Sequence, residues 1–305
     1  MTDAIAATAA GQPGLVVSAH GRQVVVETPA GARVRCQTRG KKSELVVGDR
    51  VRWAVTGDGG VIESLVPRRN LLFRQDDWRT KSFAANLDLI LVLVAGEPMF
   101  SETQLARALI AAKAEGIAVC IGLNKTDLPA ATTARERLAP YRAMGVEMVE
   151  LALKADPNAA QAVLAQWLSG RTTLVLGPSG TGKSTLINLL VPEAAAQVGD
   201  ISIALQSGRH TTTTTTWYWL GSERSGALID SPGFQEFGLR QVTAEQLAQL
   251  MPDIAQALGH CRFYNCTHRQ EPGCGVRAAA QRGEISPWRM RIYDELYEEL
   301  SRSRY

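Results

Sequence analysis

The run Gly177-Pro178-Ser179-Gly180-Thr181-Gly182-Lys183-Ser184 fits the pattern G-x-x-x-x-G-K-[ST]. Glycines let successive backbone N–H groups curl round a β-phosphate, the lysine reaches the β and γ oxygens, and the serine hydroxyl serves Mg²⁺. An isolated glycine turn can look the same. Here the apolar run Thr172–Leu176 precedes it as a strand and a helix opens at its end, which is the context the mechanism needs. Gly177 through Thr185 are therefore the candidate phosphate-binding residues, with Lys183 also catalytic and Ser184 a candidate Mg²⁺ ligand.

Asn124-Lys125-Thr126-Asp127 ends another apolar strand, Ile117–Leu123. An aspartate carboxylate accepts from both N1–H and the 2-amino group of guanine, and adenine has no donor at either place, so a mismatch leaves a buried acceptor unpaired. Asn124 can address the other edge of the base and the Lys125 stem can lie over the ring. Beside a phosphate loop in the same sheet these four residues point to guanine, and they argue against an ATP-dependent kinase or transporter. Asp230-Ser231-Pro232-Gly233 follows the strand Ala227–Ile229 and suits an aspartate that holds Mg²⁺ through water and a Gly233 N–H that meets the γ-phosphate. The base-reading motif precedes the phosphate loop by 53 residues, the reverse of Ras-like order, so the pattern is a circularly permuted GTPase.

Between the phosphate loop and Asp230 lie Gly208-Arg209-His210 and six threonines, 211–216. One hydroxyl, from Thr211, Thr212 or Thr213, is expected to complete the Mg²⁺ shell. Phe234 stands where a water-orienting glutamine would be, so hydrolysis by the chain alone should be slow; His210 is the candidate to orient water. Further on, Cys261, Cys266, His268 and Cys274 give C-x4-C-x-H-x5-C, a ligand set for one closed, structural Zn²⁺. Cys36 and Cys120 fall within strands and read as small core hydrophobes.

Three kinds of sequence must position these groups. From 15 to 66, five short β-branched runs separated by turn residues suggest a small barrel of the OB type, with Arg33, Arg35, Arg39, Lys41, Lys42, Arg50 and Arg52 on and between its middle strands. Residues 67–81 read as a basic, polar connection. Then apolar strands alternate with amphipathic helices: strand Leu87–Ala95, a helix capped by Ser101, Ile117–Leu123, helix Thr132–Met144, Val146–Leu151, helix Asn158–Leu168, Thr172–Leu176, Ala227–Ile229 and a helix near Thr243–Leu250. Alternation of this kind means a doubly wound parallel sheet. A helix from about Pro287 to Leu300 ends the chain.

Net charge is only +3, but residues 1–75 carry 11 basic and 6 acidic side chains, giving +5, the middle (76–258) is −4 and the end (259–305) is +2. Two basic ends flank an acidic centre. Forty Gly plus Pro in 305 residues exclude a collagen-like or largely disordered chain. The longest uncharged apolar run, Leu89–Ala95, has 7 residues, far short of a membrane span. With no Lys or Arg before Arg22, residues 1–14 are read as a disordered lead and the protein as cytoplasmic.

Together these features resemble the RsgA (YjeQ) family of circularly permuted GTPases, most specifically through the permuted order, Gly208-Arg209-His210-Thr211-Thr212-Thr213, and Cys261-Arg262-Phe263 through Glu271-Pro272-Gly273-Cys274. The resemblance covers nearly all of the chain after residue 15. It implies a multi-domain protein: an all-β OB-type barrel (15–70) that binds RNA, a central α/β circularly permuted P-loop GTPase domain (71–258) and a small zinc-binding α domain (259–305). It further implies a partner, the small (30S) ribosomal subunit with its 16S rRNA, bound late in maturation and left after subunit-stimulated hydrolysis of GTP to GDP; a monomer is expected. Two departures stand out. The guanine-supporting loop, often Ser-Ala-Lys-like in the family, is here roughly Leu151-Ala152-Leu153-Lys154, and Gly180 occupies the place of the asparagine of potassium-activated GTPases. The alternative reading, favoured by Phe234, is a passive rRNA-binding module whose guanine-nucleotide site only senses nucleotide state.

Overall fold

A computed structural model of the chain describes residues 11–20, 23–38, 44–57, 59–76, 79–194, 215–231 and 237–302. The N-terminal strands β1 (Gln12–His20), β2 (Gln23–Glu27), β3 (Arg33–Thr38), β4 (Arg50–Thr56) and β5 (Gly59–Leu65) lie in the order β1-β2-β3-β5-β4, and β4 returns to pair with β1. That pairing closes the sheet into an OB-type barrel. Inward-facing Val16, Val24, Val26, Cys36, Val51, Trp53 and Ile62 fill it.

The central sheet runs β10 (Glu147–Glu150), β9 (Ala118–Asn124), β8 (Leu89–Ala95), β11 (Thr172–Leu176), β13 (Gly226–Asp230) and β12 (Thr216–Leu220). The first five are mutually parallel. Every residue of β8 is buried, as a middle parallel strand covered on both faces requires. Its alternate side chains divide the core into two layers. Ile90, Val92 and Val94 face the layer of α1 (Glu102–Ala114) and α2 (Ala131–Ala143), and Leu89, Leu91 and Leu93 face that of α3 (Pro157–Leu168) and α4 (Lys183–Leu190). Ser101 caps α1 as expected, accepting from Gln104 N at 3.4 Å.

Three features depart from the sequence reading. The connection 67–81 contains a hairpin, β6 (Leu71–Asp76) and β7 (Arg79–Ala85), joined by β14 (Phe237–Gly238) in a second sheet of order β14-β6-β7. Its polar composition hid a hairpin whose buried side chains, among the described residues, are Leu72, Ala84 and Ala85. The sheet is also not wholly parallel: β12 runs antiparallel to β13 and touches β1 at Ser18↔Thr216, which joins barrel and central sheet. Third, the end of the chain holds more than one helix. After α5 (Ala244–Leu250), whose Thr243 and Gln246 form a capping box, come α6 (Pro252–Ala255), a short 3-10 turn at Leu258–His260, α7 (Gly275–Gln281) and α8 (Pro287–Arg302).

Ile292, Tyr293, Leu296 and Leu300 recur on one stripe of α8 and enter the same core as Leu105 of α1 and Leu247 of α5. Two ion pairs fix the docking. Arg107 of α1 grips Glu299 at 2.6 and 2.9 Å, and Arg289 of α8 grips Asp253 through two bonds of 2.6 Å with both side chains nearly buried.

Candidate functional site

β11 delivers the chain to the phosphate loop and α4 leads it away. Gly177, Gly180 and Gly182 have φ of +151°, +82° and +109°, where a side chain is strained. Space demands glycine at two of them as well: a Cβ on Gly177 would strike the Leu93 carbonyl, and one on Gly182 the Asn124 amide nitrogen. The Lys183 ammonium folds over its own loop and donates to Gly177 O at 2.7 Å and Pro178 O at 2.9 Å. Burial lowers its pKa, and Asp230 at the end of β13 works against that shift. Burial likewise raises the Asp230 carboxyl, with Lys183 opposing. An anion and a cation thus face each other, each disfavoured by burial and each favoured by the other's charge. Ser184 is exposed.

A cavity of about 550 Å³ runs from this loop to the end of β9. Ser179, Gly180 and Gly182–Thr185 line one end, and Asn124, Lys125, Asp127, Leu128, Leu153 and Lys154 the other. Asn124 is buried and holds three loops together: its amide nitrogen donates to Thr181 O at 2.8 Å, and its carbonyl accepts from Leu153 N at 3.1 Å. The sequence reading gave Asn124 to the base edge. In the structure its carbonyl and one amide hydrogen are already engaged, leaving a single N–H for a ligand. Thr126 fastens the turn to Leu151 O through its N–H and its hydroxyl, at 3.2 and 3.0 Å. Lys125, at φ +61°, extends to donate to Glu97 O at 2.7 Å. Asp127 is exposed to the cavity and has no hydrogen-bond or ionic partner among the described residues. A cavity of similar size, about 570 Å³, lies between barrel and sheet. Volume therefore does not single out the site; the convergence of a phosphate loop and an unpaired carboxylate does.

Cys261, Cys266, His268 and Cys274 come together, their four ligand atoms all within 4.8 Å of one another. His268 Nδ1 lies 3.5 Å from Cys261 Sγ and 3.6 Å from Cys274 Sγ. Tetrahedral zinc with ordinary bond lengths sets such S···N separations at about 3.6 Å, so the donor set and its spacing fit the ion. Glu271, quoted in the sequence reading as part of the motif but given no role there, shapes the loop: it accepts from Thr267 N at 2.8 Å, Thr267 Oγ1 at 2.6 Å, and Arg269 N and Gln270 N at 3.2 Å. Burial would raise its carboxyl, but these bonds prevail and hold it at about 2. The signal was the acid just before Pro272-Gly273 in the Cys/His loop. Cys36 and Cys120 are buried hydrophobes, with thiols pushed up by burial to about 11 and about 12.

The family description "RsgA GTPase" matches residues 65–240 of the chain. The chain belongs to the RsgA GTPase family. It is 60% identical over 297 residues to the small ribosomal subunit biogenesis GTPase RsgA of Variovorax paradoxus, covering 96% of this chain and 93% of the relative. To the protein of that name from Burkholderia pseudomallei it is 52% identical over 291 residues, covering 94% and 92%. Among solved structures, YjeQ from Thermotoga maritima superimposes with a TM-score of 0.70 at 28% identity, over 95% of this chain and 98% of that one. YloQ, a circularly permuted GTPase, shares the fold, with a TM-score of 0.67 at 23% identity over 96% of each chain.

As an RsgA GTPase the chain is a GTP hydrolase, and a member of this family uses Mg²⁺ with GTP. Asp230 pairs across β12–β13 with Thr216, the last of the six threonines, so that run ends beside the aspartate. Ser231 is buried and receives a 2.6 Å hydrogen bond from Arg74 of β6. His210, Thr211, Thr212, Thr213, Gly233 and Phe234 lie outside the described residues.

Proposed function

We propose that this RsgA protein binds the small ribosomal subunit and its 16S rRNA late in maturation, hydrolyses GTP when the subunit stimulates it, and leaves in the GDP state. The observation that carries the nucleotide part is the single cavity shared by the free Asp127 carboxylate and the phosphate loop. Asp127 accepts the two guanine donors, Asn124, Lys125 and Thr126 frame the base, and Leu153 and Lys154 border it. Gly177, Pro178, Ser179, Gly180, Thr181 and Gly182 wrap the phosphates with backbone N–H groups, and Thr185 lies in the first turn of the helix behind them. Lys183 turns from its loop carbonyls to the β and γ oxygens. Ser184 and one of Thr211, Thr212 and Thr213 bind Mg²⁺, with Asp230 reaching it through water.

Gly233 N–H meets the γ-phosphate, and His210 orients the attacking water once the subunit orders its loop. Cys261, Cys266, His268 and Cys274 hold one structural Zn²⁺, which stabilises the loop that carries them. Exposed Arg50 and Arg52 place positive charge on the barrel for the rRNA backbone. The protein acts as a monomer in the cytoplasm; no described helix is long and apolar enough to cross a membrane.

The test is co-sedimentation with small subunits in a non-hydrolysable GTP analogue or GDP, together with turnover measured with and without subunits. The analogue should retain the protein on the subunit, GDP should release it, and subunits should accelerate hydrolysis. Nucleotide-independent binding, or turnover indifferent to subunits, defeats the proposal. The variant His210→Ala should lose the stimulated turnover.

A further inference from the structure

Among the described residues only two aromatic side chains are exposed, and they are neighbours: Phe263, at 39% exposure, and Tyr264, at 102%. Both stand on the loop between Cys261 and Cys266. A folded chain ordinarily withdraws such rings from water, since burying one returns on the order of 2 kcal/mol. The loop is no loose tip. Arg262 N donates to Gly273 O at 3.0 Å and Cys266 N to Phe263 O at 3.3 Å, between two of the clustered cysteines. Tyr264 is thus held outward by a braced turn.

The charge carried by residues 261–270 has one sign. The Arg262 guanidinium lies 5.5 Å over the Phe263 ring and has no acidic partner among the described residues. Residues 261–270 contain no acid, Glu271 is turned inward onto backbone N–H groups, and Arg269 is engaged by Glu298 and Asp294. One face of Phe263 is covered by Arg262, whereas both faces of Tyr264 are in water. A rigid aromatic plane beside an uncommitted guanidinium matches a flat base with a phosphate next to it. A base inside a duplex offers no free face, so the partner must be unpaired.

We infer that Tyr264 stacks on an unpaired RNA base, with Phe263 and Arg262 supporting it and Arg262 meeting the adjoining phosphate. This rests on the proposed reading that the chain binds the small subunit, and it names one contact of that binding. The full chain with a non-hydrolysable GTP analogue is titrated against small subunits as the parent and as Tyr264→Phe, Tyr264→Leu and Tyr264→Ala. The Phe variant keeps the parent's affinity, whereas Leu and Ala lose roughly 5- to 150-fold, the equivalent of one base–aromatic stack. Metal content, melting temperature and subunit-free hydrolysis stay unchanged, because the Tyr264 side chain packs against nothing. An Ala variant that binds like the parent overturns the inference, as does a Leu variant that matches Phe, which would mean apolar packing against protein. If the parent fails to bind subunits, the proposed function fails, and titration with a short unstructured RNA decides the stacking site on the same ranking.

Discussion

Replacing Asn124 by alanine tests whether this residue is chiefly a base contact or a brace. Its side chain is buried and makes two hydrogen bonds, to Thr181 O at 2.8 Å and from Leu153 N at 3.1 Å. Alanine leaves both partners unsatisfied at the inner wall of the cavity, and each such group costs about 1–3 kcal/mol. Water entering from the cavity recovers part of this, so the nucleotide-free protein should lose about 2–4 kcal/mol, a fall in melting temperature of roughly 5–15 °C. GDP affinity should drop at least about tenfold, because the phosphate loop and the 151–154 loop lose their common tie and the base loses a donor. Asn124→Asp sharpens the test: it keeps an acceptor for Leu153 N but sets a carboxylate oxygen against the Thr181 carbonyl. At neutral pH it should be less stable than the alanine variant, and the deficit should shrink as falling pH protonates the carboxyl. The assay is thermal unfolding without nucleotide, paired with titration of a fluorescent GDP analogue. An alanine variant that melts within about 1 °C of the parent while binding GDP weakly refutes the brace.

Three more outcomes follow from the same geometry. Arg289→Met strands buried Asp253 and should cost about 3–5 kcal/mol in urea unfolding, most of it recovered when Asp253→Leu is added in the same chain. Asp230→Asn should stabilise the nucleotide-free, Mg²⁺-free protein at neutral pH while abolishing Mg²⁺-dependent turnover. Burial raises the folded carboxyl above its unfolded value, so the cost of the charge is present above the folded pKa and vanishes below the unfolded one; the gain should therefore fade in acid, as melting curves against pH will show. Stripping metal with a strong chelator, or Cys274→Ser, should remove one zinc per chain and lower the melting temperature, since His268 lies tilted beside Tyr293, whose hydroxyl donates to Thr267 O at 2.9 Å. Unchanged melting in a metal-free preparation would count against a structural role.

The phosphate loop, Asn124–Asp127 and the four metal-ligand candidates were legible because their chemistry dictates residue types at fixed spacings. β8 was legible because a covered parallel strand must be apolar throughout. The hairpin β6–β7 was not, since its strands bury little and carry Arg74, Gln75 and Asp76; Phe73 and Phe83 on either side of the polar stretch were the available hint. β12 was masked by the threonines before it, although Trp217-Tyr218-Trp219 followed by a glycine-bounded turn and the strand at 226 is a hairpin pattern. The Arg107–Glu299 pair spans 192 residues of sequence, and no local pattern encodes such a contact.

The permuted order acquires its mechanical meaning from where the chain goes after Asp230. Ser231 is tied to Arg74 of β6, and Phe237–Gly238 pair with Arg74 and Phe73 of the same strand. Both described flanks of the segment that contains Gly233 therefore rest on one hairpin. β7 in turn meets the barrel, where Ala85 N donates to Val47 O at 3.0 Å and Gly48 lies so close to the Ala85 carbonyl that no side chain fits between. On the other side, the chain beyond β14 enters α5, which shares its core with α8. Close-packed backbone of this kind transmits displacement because it has no room to absorb it. A shift of Ser231 by about one ångström strains the Arg74 bond or draws the Arg74 side chain after it, and any displacement passed on to β6 loads the contacts of the hairpin with Val47 and Gly48 of the barrel. The described flanks of the segment expected to sense the γ-phosphate thus have neighbours that lead to both basic ends of the molecule.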